Sequence, residues 1–289
     1  MNIPENNQYI INTGIGITGG VASYAWLPRV VVGTYSKSYL YKGKAISKQE
    51  QEQYWKTAEI VLQESGLKSK NVRLININDS NAKTIADEII YARNKKGFFR
   101  KTRRNKNRDQ VLRDKIEMMY AKGRNACYVG LTSQILVNKE KMAFTAFHEM
   151  GHAYNAKFKG IQNGLSRTRG KFARLIPFIF GAGLMIPKDN QNKPTENPLY
   201  KILLEFRKSA GLLVSLCLLP TVAEEGLASI NGAKLAKKYL STELYKKMNS
   251  LNTKAFISYV LAMFMAGLGT NLAIYIKDKV TGELPKSNN

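Results

Sequence analysis

Residues 143–153 read Ala-Phe-Thr-Ala-Phe-His-Glu-Met-Gly-His-Ala, and they contain both histidines of the 289-residue chain. The apolar spacing around them predicts a helix from Lys139 to Lys157. Residues four apart lie one above the other on a helix, so His148 and His152 can ligate a single ion. Glu149 lies about 100° further round the helix and can reach a water held by that ion. This pattern is typical of zinc hydrolases.

The same five residues also allow a simpler interpretation. A helix that crosses a core can carry two histidines whose rings are hydrogen-bonded and bind no metal. Here the helix is otherwise apolar, with Phe144, Phe147 and Met150 close by, and Gly151 permits close backbone approach. Burying two imidazoles and a carboxylate among such neighbours is costly unless they are paired or bound to an ion. The metal interpretation is therefore favoured.

The third metal ligand is predicted to be a carboxylate. The chain has no third histidine, which excludes the metzincin arrangement, and Cys217 is the only thiol after His152. Most later acidic residues lie among Lys, Asn and Pro in loop-like segments, whereas Glu224 and Glu225 begin a helical run, Thr221 to Leu240. One of this pair is the best candidate. The acidic residues after His152 are Asp189, Glu196, Glu205, Glu224, Glu225, Glu243, Asp278 and Glu283.

Four segments together carry a family resemblance: Asn125-Ala126-Cys127-Tyr128-Val129-Gly130, Thr132 to Val137, Ala146-Phe147-His148-Glu149-Met150-Gly151-His152-Ala153, and Glu225-Gly226-Leu227-Ala228-Ser229. They resemble the integral-membrane gluzincin peptidases, which include the bacterial heat-shock membrane protease and the CAAX prenyl endopeptidase. The last segment looks like the third-ligand motif of that family, Glu-x-x-Ala-Asp, whose register favours Glu225 over Glu224. The resemblance covers about residues 120 to 240.

The resemblance implies an α+β, mainly helical fold: a gluzincin-like metallopeptidase domain with membrane-embedded helices. It implies one Zn²⁺ per chain, held by His148, His152 and Glu225, with Glu149 as the catalytic base. The chain departs from the family at Ser229, where the family has an aspartate that supports a ligating histidine. A serine can still accept an N–H hydrogen bond but adds no charge, so we expect weaker zinc binding.

The mean hydropathy of the chain is −0.29, but this average conceals four apolar blocks. Ala255 to Ile276 has no formal charge and is long enough for a hydrocarbon core that needs about 20 residues. Ile10 to Val32 is as long but includes Arg29. Phe172 to Ile186 and Ser209 to Ala223 are shorter and are predicted to form a membrane hairpin joined by Pro187 to Tyr200, because the chain must return between the histidines and the third ligand. A soluble helical insertion is the alternative.

These blocks divide the chain into predicted regions, which follow from the N-terminus to the C-terminus. They are an N-terminal membrane segment (1–34), a cytoplasmic region with the metal-binding helix (35–171), the membrane hairpin (172–223), the third-ligand helix (224–254), a terminal transmembrane helix (255–276) and a tail (277–289).

The charge distribution predicts the orientation. The net charge is +24, and basic residues concentrate between Tyr35 and Lys171 and between Lys234 and Lys254. The positive-inside rule then places the metal-bearing region on the cytoplasmic side of the inner or plasma membrane. No pattern of a cleaved signal peptide is seen near Met1. The two cysteines, Cys127 and Cys217, have no spacing that suggests a disulfide framework or a thiolate zinc site.

A small α+β region is predicted before the metal helix. Ser47 and Glu50 form a capping-box pattern that begins a helix, and Gly66 ends it. The β-branched run 72–77 predicts a strand, and the stretch Ala126 to Val137 a second one. Further helices are predicted at 81–94 and 109–122. In the resembled family, the strand before the metal helix pairs with extended substrate, which suits a broad protease.

The basic cluster from Arg93 to Arg108 is the strongest charge feature of the chain. Contact with anionic membrane lipids and a solvated loop are equally compatible with it. Nucleic-acid binding would use the same charges, with Phe98 or Phe99 stacking on bases, but no recognised nucleic-acid-binding fold supports it.

The predicted function is that of a membrane-bound zinc endopeptidase acting on membrane or membrane-associated proteins, and the resemblance implies a role in protein quality control. The alternative is a catalytically inactive membrane scaffold that keeps the peptidase fold, and a weaker one is a nucleic-acid-associated membrane protein. A second donor to the reacting carbonyl oxygen is also expected. The sequence leaves four candidates for it: Tyr154, Asn231, Lys234 and Tyr239.

Overall fold

The computed structural model describes residues 17–35, with gaps at 20, 23–24 and 27–28, and residues 46–96, 103–186 and 197–281. The described part is mostly helical with one three-stranded sheet, which confirms the mainly helical α+β prediction. It forms two compact units. The first comprises described residues within 1–40, 165–223 and 257–289, and the second those within 41–164 and 224–256.

The second unit begins with helix α2, Lys48–Glu64. The side chain of Ser47 accepts a hydrogen bond from the Glu50 N–H, and the Glu50 carboxylate accepts one from the Ser47 N–H, so the predicted capping box is present. The helix ends before Gly66, whose φ of 74° is readily adopted only by glycine. The buried face of α2 shares a core with the helical segment that carries the histidines.

The sheet has the order β1-β3-β2, with β1 at Arg73–Asn76, β2 at Cys127–Val129 and β3 at Gln134–Val137. Strand β3 pairs in parallel with β1 and antiparallel with β2. The prediction of one strand from Ala126 to Val137 is wrong, because a tight turn with Ser133 at φ 55° divides it into a hairpin. As a result β3, which directly precedes the segment that carries the histidines, is paired on both edges, and β2 is an edge strand.

The helices predicted at 81–94 and 109–122 are present, although the second begins earlier: they are α3 at Ala82–Lys96 and α4 at Arg103–Lys115, which continues as a π-helix over Ile116–Ala121. Their buried residues share a core with the sheet. Ion pairs join them, one between Arg93 and Asp109 and one of 2.8 Å between Arg113 and Asp87. The basic cluster therefore includes the end of α3 and the start of α4, while its residues 97–102 lie outside the described part.

The segment that carries the histidines is helical but interrupted. It comprises α5 at Lys139–Met142, a 3₁₀ turn at Ala143–Thr145, α6 at Ala146–Tyr154 and a π-helix at Asn155–Lys159. The single helix predicted from Lys139 to Lys157 is thus broken after Met142. The buried Gln51 of α2 satisfies the break, since it donates to the Lys141 carbonyl (2.9 Å) and accepts from the Ala143 N–H (2.8 Å).

The first unit contains helical residues between 17 and 35 (α1), helix α7 at Ile161–Met185 and parts of two long helices, α8 at Pro198–Lys237 and α9 at Thr242–Val280. The apolar block 209–223 and the predicted helix 221–240 are one continuous helix, α8, so no helix begins at Thr221. Pro220 is accommodated inside it. Local sequence indicates a break at a proline, but neighbouring packing can override it.

Within the described residues, α9 is the one helix that is long and apolar enough to cross a membrane. This criterion concerns length and composition alone, and the buried core helix of a soluble protein can meet it. The blocks 172–186 and 209–223 lie in α7 and α8, which do not meet it. The membrane hairpin therefore stays a prediction, and residues 10–16 and 187–196 lie outside the described part.

Candidate metal centre

Helices α6 and α8 meet through glycine at the candidate site. A Cβ atom built on Gly151 would overlap the Ala228 carbonyl oxygen and lie 2.9 Å from the Gly232 nitrogen. One built on Gly232 would overlap the Phe147 carbonyl oxygen and lie 2.7 Å from its carbonyl carbon. The two backbones can approach this closely only because neither glycine has a side chain. Sequence reasoning noted Gly151 but missed Gly232, which no motif identifies.

We expect Gly232→Ala to separate α6 from α8, and thereby to move the third ligand away from the histidines. Overpacking of this kind costs about 1–3 kcal/mol or more in the free energy of unfolding. The temperature of thermal unfolding and the amount of zinc bound per chain should both be lower than in the wild type. Gly170→Ala is the control, because a Cβ at Gly170 meets nothing within 4 Å. Wild-type zinc content and stability in Gly232→Ala would contradict this account of the helix contact.

Three potential ligands converge where the helices cross. The nearest ligand atoms of His148, His152 and Glu225 all lie within 4.8 Å of one another. Glu225 Oε2 is 3.2 Å from His148 Nε2 and 3.6 Å from His152 Nε2. The Nε2 atoms of both imidazoles therefore face the same carboxylate oxygen, and the two rings are nearly perpendicular to each other. Glu224 is also buried, but its carboxylate does not belong to this group.

Ser229 lies beside the first histidine. Its Oγ is 3.1 Å from His148 Nδ1, on the ring edge opposite to the nitrogen that faces Glu225. A hydrogen bond donated by Nδ1 leaves Nε2 as the free base that a metal requires. The serine therefore occupies the supporting position that the resemblance assigns to an aspartate. His152 Nδ1, by contrast, is buried and has no hydrogen-bond partner within the described residues.

Ser229→Ala is expected to weaken zinc binding by about tenfold, at the lower end of the range for partners of ligating histidines, because the lost bond is neutral. Ser229→Asp should tighten binding, since a carboxylate raises the basicity of His148. Competition with a chromophoric chelator measures both constants. Ser250→Ala, an exposed serine of α9, is the control. Equal zinc affinity in the wild type and all three variants would show that Ser229 does not support His148.

The charges at the site hold the carboxylate in its ligating form. Burial alone would raise the pKa of Glu225, but hydrogen bonds and charge interactions with His148 and His152 hold it well below its ordinary value. Burial would lower the pKa of His152, yet the hydrogen bond to Glu225 and the surrounding carboxylates, Glu149 among them, raise it to about 9. A metal ion would therefore have to displace a proton from His152.

Glu149 is close enough to the candidate metal centre and to the sheet for its charge to act on a group in each. The residue is 7% exposed, and its charge contributes to the raised pKa of His152. For Cys127 of β2, burial first, and then the charge of Glu149, raises the pKa of the thiol to about 12. The carboxylate therefore lies close to both the histidines and edge strand β2.

A buried polar bridge lies one turn beyond the ligands. Asn231 donates to Asn155 Oδ1 (2.5 Å) and accepts from Lys159 Nζ (3.2 Å). Both asparagines are at least 95% buried, so this bridge fixes α8 against the extension of α6. These contacts bear on the candidates for the second donor to the reacting carbonyl oxygen. Asn231 is used to pair the two helices, Lys234 is exposed, and Tyr154 packs against a phenylalanine ring. Asn155 was missed because a lone asparagine gives no signal in sequence.

The donor set fits zinc. Two imidazole nitrogens and one carboxylate oxygen are its usual partners in a catalytic site that keeps one position open. The search for related proteins gives no such support: no family model, curated protein or solved structure matches the chain.

Proposed function

We propose that the chain is a membrane-bound, zinc-dependent endopeptidase that hydrolyses peptide bonds of membrane or membrane-associated proteins. The observation that carries the proposal is the convergence of His148, His152 and Glu225, with Glu149 on the same helix. Two histidines four residues apart can occur by chance on one helix. The Glu225 carboxylate, however, comes from another helix, and a chance histidine pair gives no reason for it to lie beside them. We infer that the chain is a divergent member of the integral-membrane gluzincin peptidases.

The residues of the site divide the chemistry between them. Zinc, when bound, lowers the pKa of a water towards about 7 and polarises the scissile carbonyl. His148, His152 and Glu225 hold the ion, and Ser229 orients His148. Glu149 accepts the proton of the attacking water and passes it to the leaving nitrogen. Because Glu149 is nearly buried, solvent competes weakly for that proton.

Extended substrate would bind along β2. This strand is an edge of the sheet, and its Cys127 lies near Glu149. A peptide added there would be recognised by its main chain, which tolerates many side chains. In the resembled family the strand before the metal helix has this role. In this chain β3 is paired on both edges, so we assign the substrate-pairing role to β2, the edge strand.

The proposed location is the inner or plasma membrane, with the metal centre on the cytoplasmic side. The length and apolar composition of α9 support insertion, and the concentration of basic residues in the second unit supports the orientation. In that position the basic cluster Arg93–Arg108 would contact anionic lipid headgroups.

A catalytically inactive membrane scaffold is the second candidate, and Ser229 in place of the family's aspartate favours it. Hydrolysis of fluorescein-labelled casein by the detergent-purified chain separates the two candidates. We expect cleavage with zinc bound, its loss when a chelator removes the ion, and its return when zinc is restored. Cleavage that survives complete zinc removal would exclude the proposed mechanism, and zinc-loaded protein that never cleaves would favour the scaffold.

A further inference from the structure

Within the described residues, no strand pairs with the edge of the sheet remote from β2, and this edge is open at Leu74. In the parallel pair, Arg73 and Ile77 donate their N–H groups to β3 and its flanking turn, at 2.9 and 3.0 Å. Main-chain groups of alternate residues face opposite sides of a strand, so the N–H and C=O of Leu74 point away from β3. The next carbonyl on that side, of Asn76, already accepts from Asn81 (2.8 Å). The open stretch is therefore short and centred on Leu74.

An open groove of about 650 Å³ lies along this edge, and its lining is apolar and basic apart from the neutral polar residues Asn71 and Thr132. Lys68 is exposed and makes no ion pair within the described residues, whereas Arg73 is paired with Glu88. Among the residues that the structure describes, no acidic one lines the groove. The main lining residues are Leu62, Lys68, Val72, Arg73, Leu74 and Ile75.

We propose that this groove binds an extended peptide segment of another protein, in which apolar and acidic residues alternate, as a fourth strand beside β1. The Leu74 N–H and C=O would bond to the peptide main chain. Because side chains alternate along a strand, the apolar set would lie against the partly exposed Leu74 and the second, acidic set would lie within reach of the exposed Lys68. Because Lys68 makes no ion pair within the described residues, its positive charge favours acidic side chains in the part of the peptide that lies near it.

The groove is distinct from the candidate metal centre. The order β1-β3-β2 puts β1 and β2 on opposite edges, about 10 Å apart across the sheet, so two peptides can bind at once. If the chain is the peptidase proposed above, the groove holds a part of the substrate that is not cleaved. Peptide binding itself does not depend on that function.

The test uses the full chain in detergent after removal of metal, so that hydrolysis plays no part. The probe is a fluorescein-labelled octapeptide of four Val-Glu repeats, and binding is followed by fluorescence anisotropy. We expect it to bind at least about tenfold more tightly than the octapeptide of four Val-Lys repeats, because like charges beside Lys68 repel. Equal binding of the two peptides would overturn the proposal.

Two variants locate the binding. Leu74→Pro removes the open N–H and should weaken binding about tenfold, since proline is tolerated at a strand edge but cannot donate. Lys68→Glu should weaken it about fivefold on an exposed turn where folding is not at risk. Lys83→Glu makes the same charge change outside the groove and should have no effect.

The two variants also separate the competing outcomes. If Leu74→Pro does not fold, as judged by circular dichroism, Lys68→Glu decides alone. Wild-type binding in Lys68→Glu and in folded Leu74→Pro would assign the peptide to another edge, such as β2. A change of oligomeric state in Leu74→Pro without loss of peptide binding would assign the groove to a second copy of the chain.

Discussion

Glu149→Gln should reduce peptide hydrolysis by about 10²–10⁴-fold, the usual contribution of a general acid–base group. The amide has nearly the shape of the carboxylate but cannot accept the proton of the attacking water. Zinc should remain bound at wild-type stoichiometry, because Glu149 is not among the three groups that converge on one point. Zinc analysis and casein hydrolysis on the same preparation measure both effects.

A matched control exists on the same segment. Glu140 of α5 is exposed, and Glu140→Gln makes the same change of charge away from the site. It should hydrolyse casein as the wild type does. If Glu149→Gln with zinc bound retained wild-type hydrolysis, Glu149 would not be the base and the proposed mechanism would fail. If wild type and both variants bind zinc without hydrolysis, the scaffold becomes the better interpretation.

Glu225→Ala should abolish stoichiometric zinc binding. Loss of a residue that only supports a ligand costs 10- to 100-fold in affinity, so we expect loss of a direct ligand to exceed about 100-fold. Hydrolysis should disappear with the metal. The measurement is zinc per chain after dialysis against a weak chelator, with circular dichroism to verify folding, because Glu225 also stabilises the protonated His152 of the metal-free protein.

Glu224→Ala is the natural control, since this neighbouring carboxylate is even more deeply buried but is not part of the converging group. It should keep about one zinc per chain. Zinc lost in Glu224→Ala and retained in Glu225→Ala would shift the ligand by one residue and keep the class of enzyme. A well-folded wild type that binds no zinc would contradict the metal centre itself.

Local features of the fold were predicted well where neighbouring residues decide them. The capping box at Ser47 and Glu50 begins α2, and the β-branched run before Asn78 forms β1. Each signal depends on hydrogen bonds or sterics within a few residues. Boundaries set by distant contacts were missed. The break after Met142 exists because Gln51 of α2 supplies the hydrogen bonds that a continuous helix would have made.

The same limit applies to α8 and to the β2–β3 hairpin. Pro220 and the change from apolar to acidic residues indicate a helix start near Thr221, yet α8 runs through both. Ala126 to Val137 is rich in strand-forming residues at both ends, but a turn at 130–133, with Ser133 in the left-handed region, divides it. Serine rarely adopts this conformation and gives no strong signal for a turn, so Gly130 is the one residue that could have indicated it.

By itself, the sequence determined the chemical inventory of the candidate site: two histidines four residues apart, a carboxylate between them, and one downstream acidic pair. The residues alone left Glu224 and Glu225 open, and only the family resemblance favoured Glu225. The tertiary structure brings Glu225 to the histidines and shows how the approach is possible. Glu225 is far from His148 in the chain, so its distance depends on how α8 packs against α6. That packing depends on Gly151 and Gly232, because two helix backbones can touch only where both lack a Cβ atom.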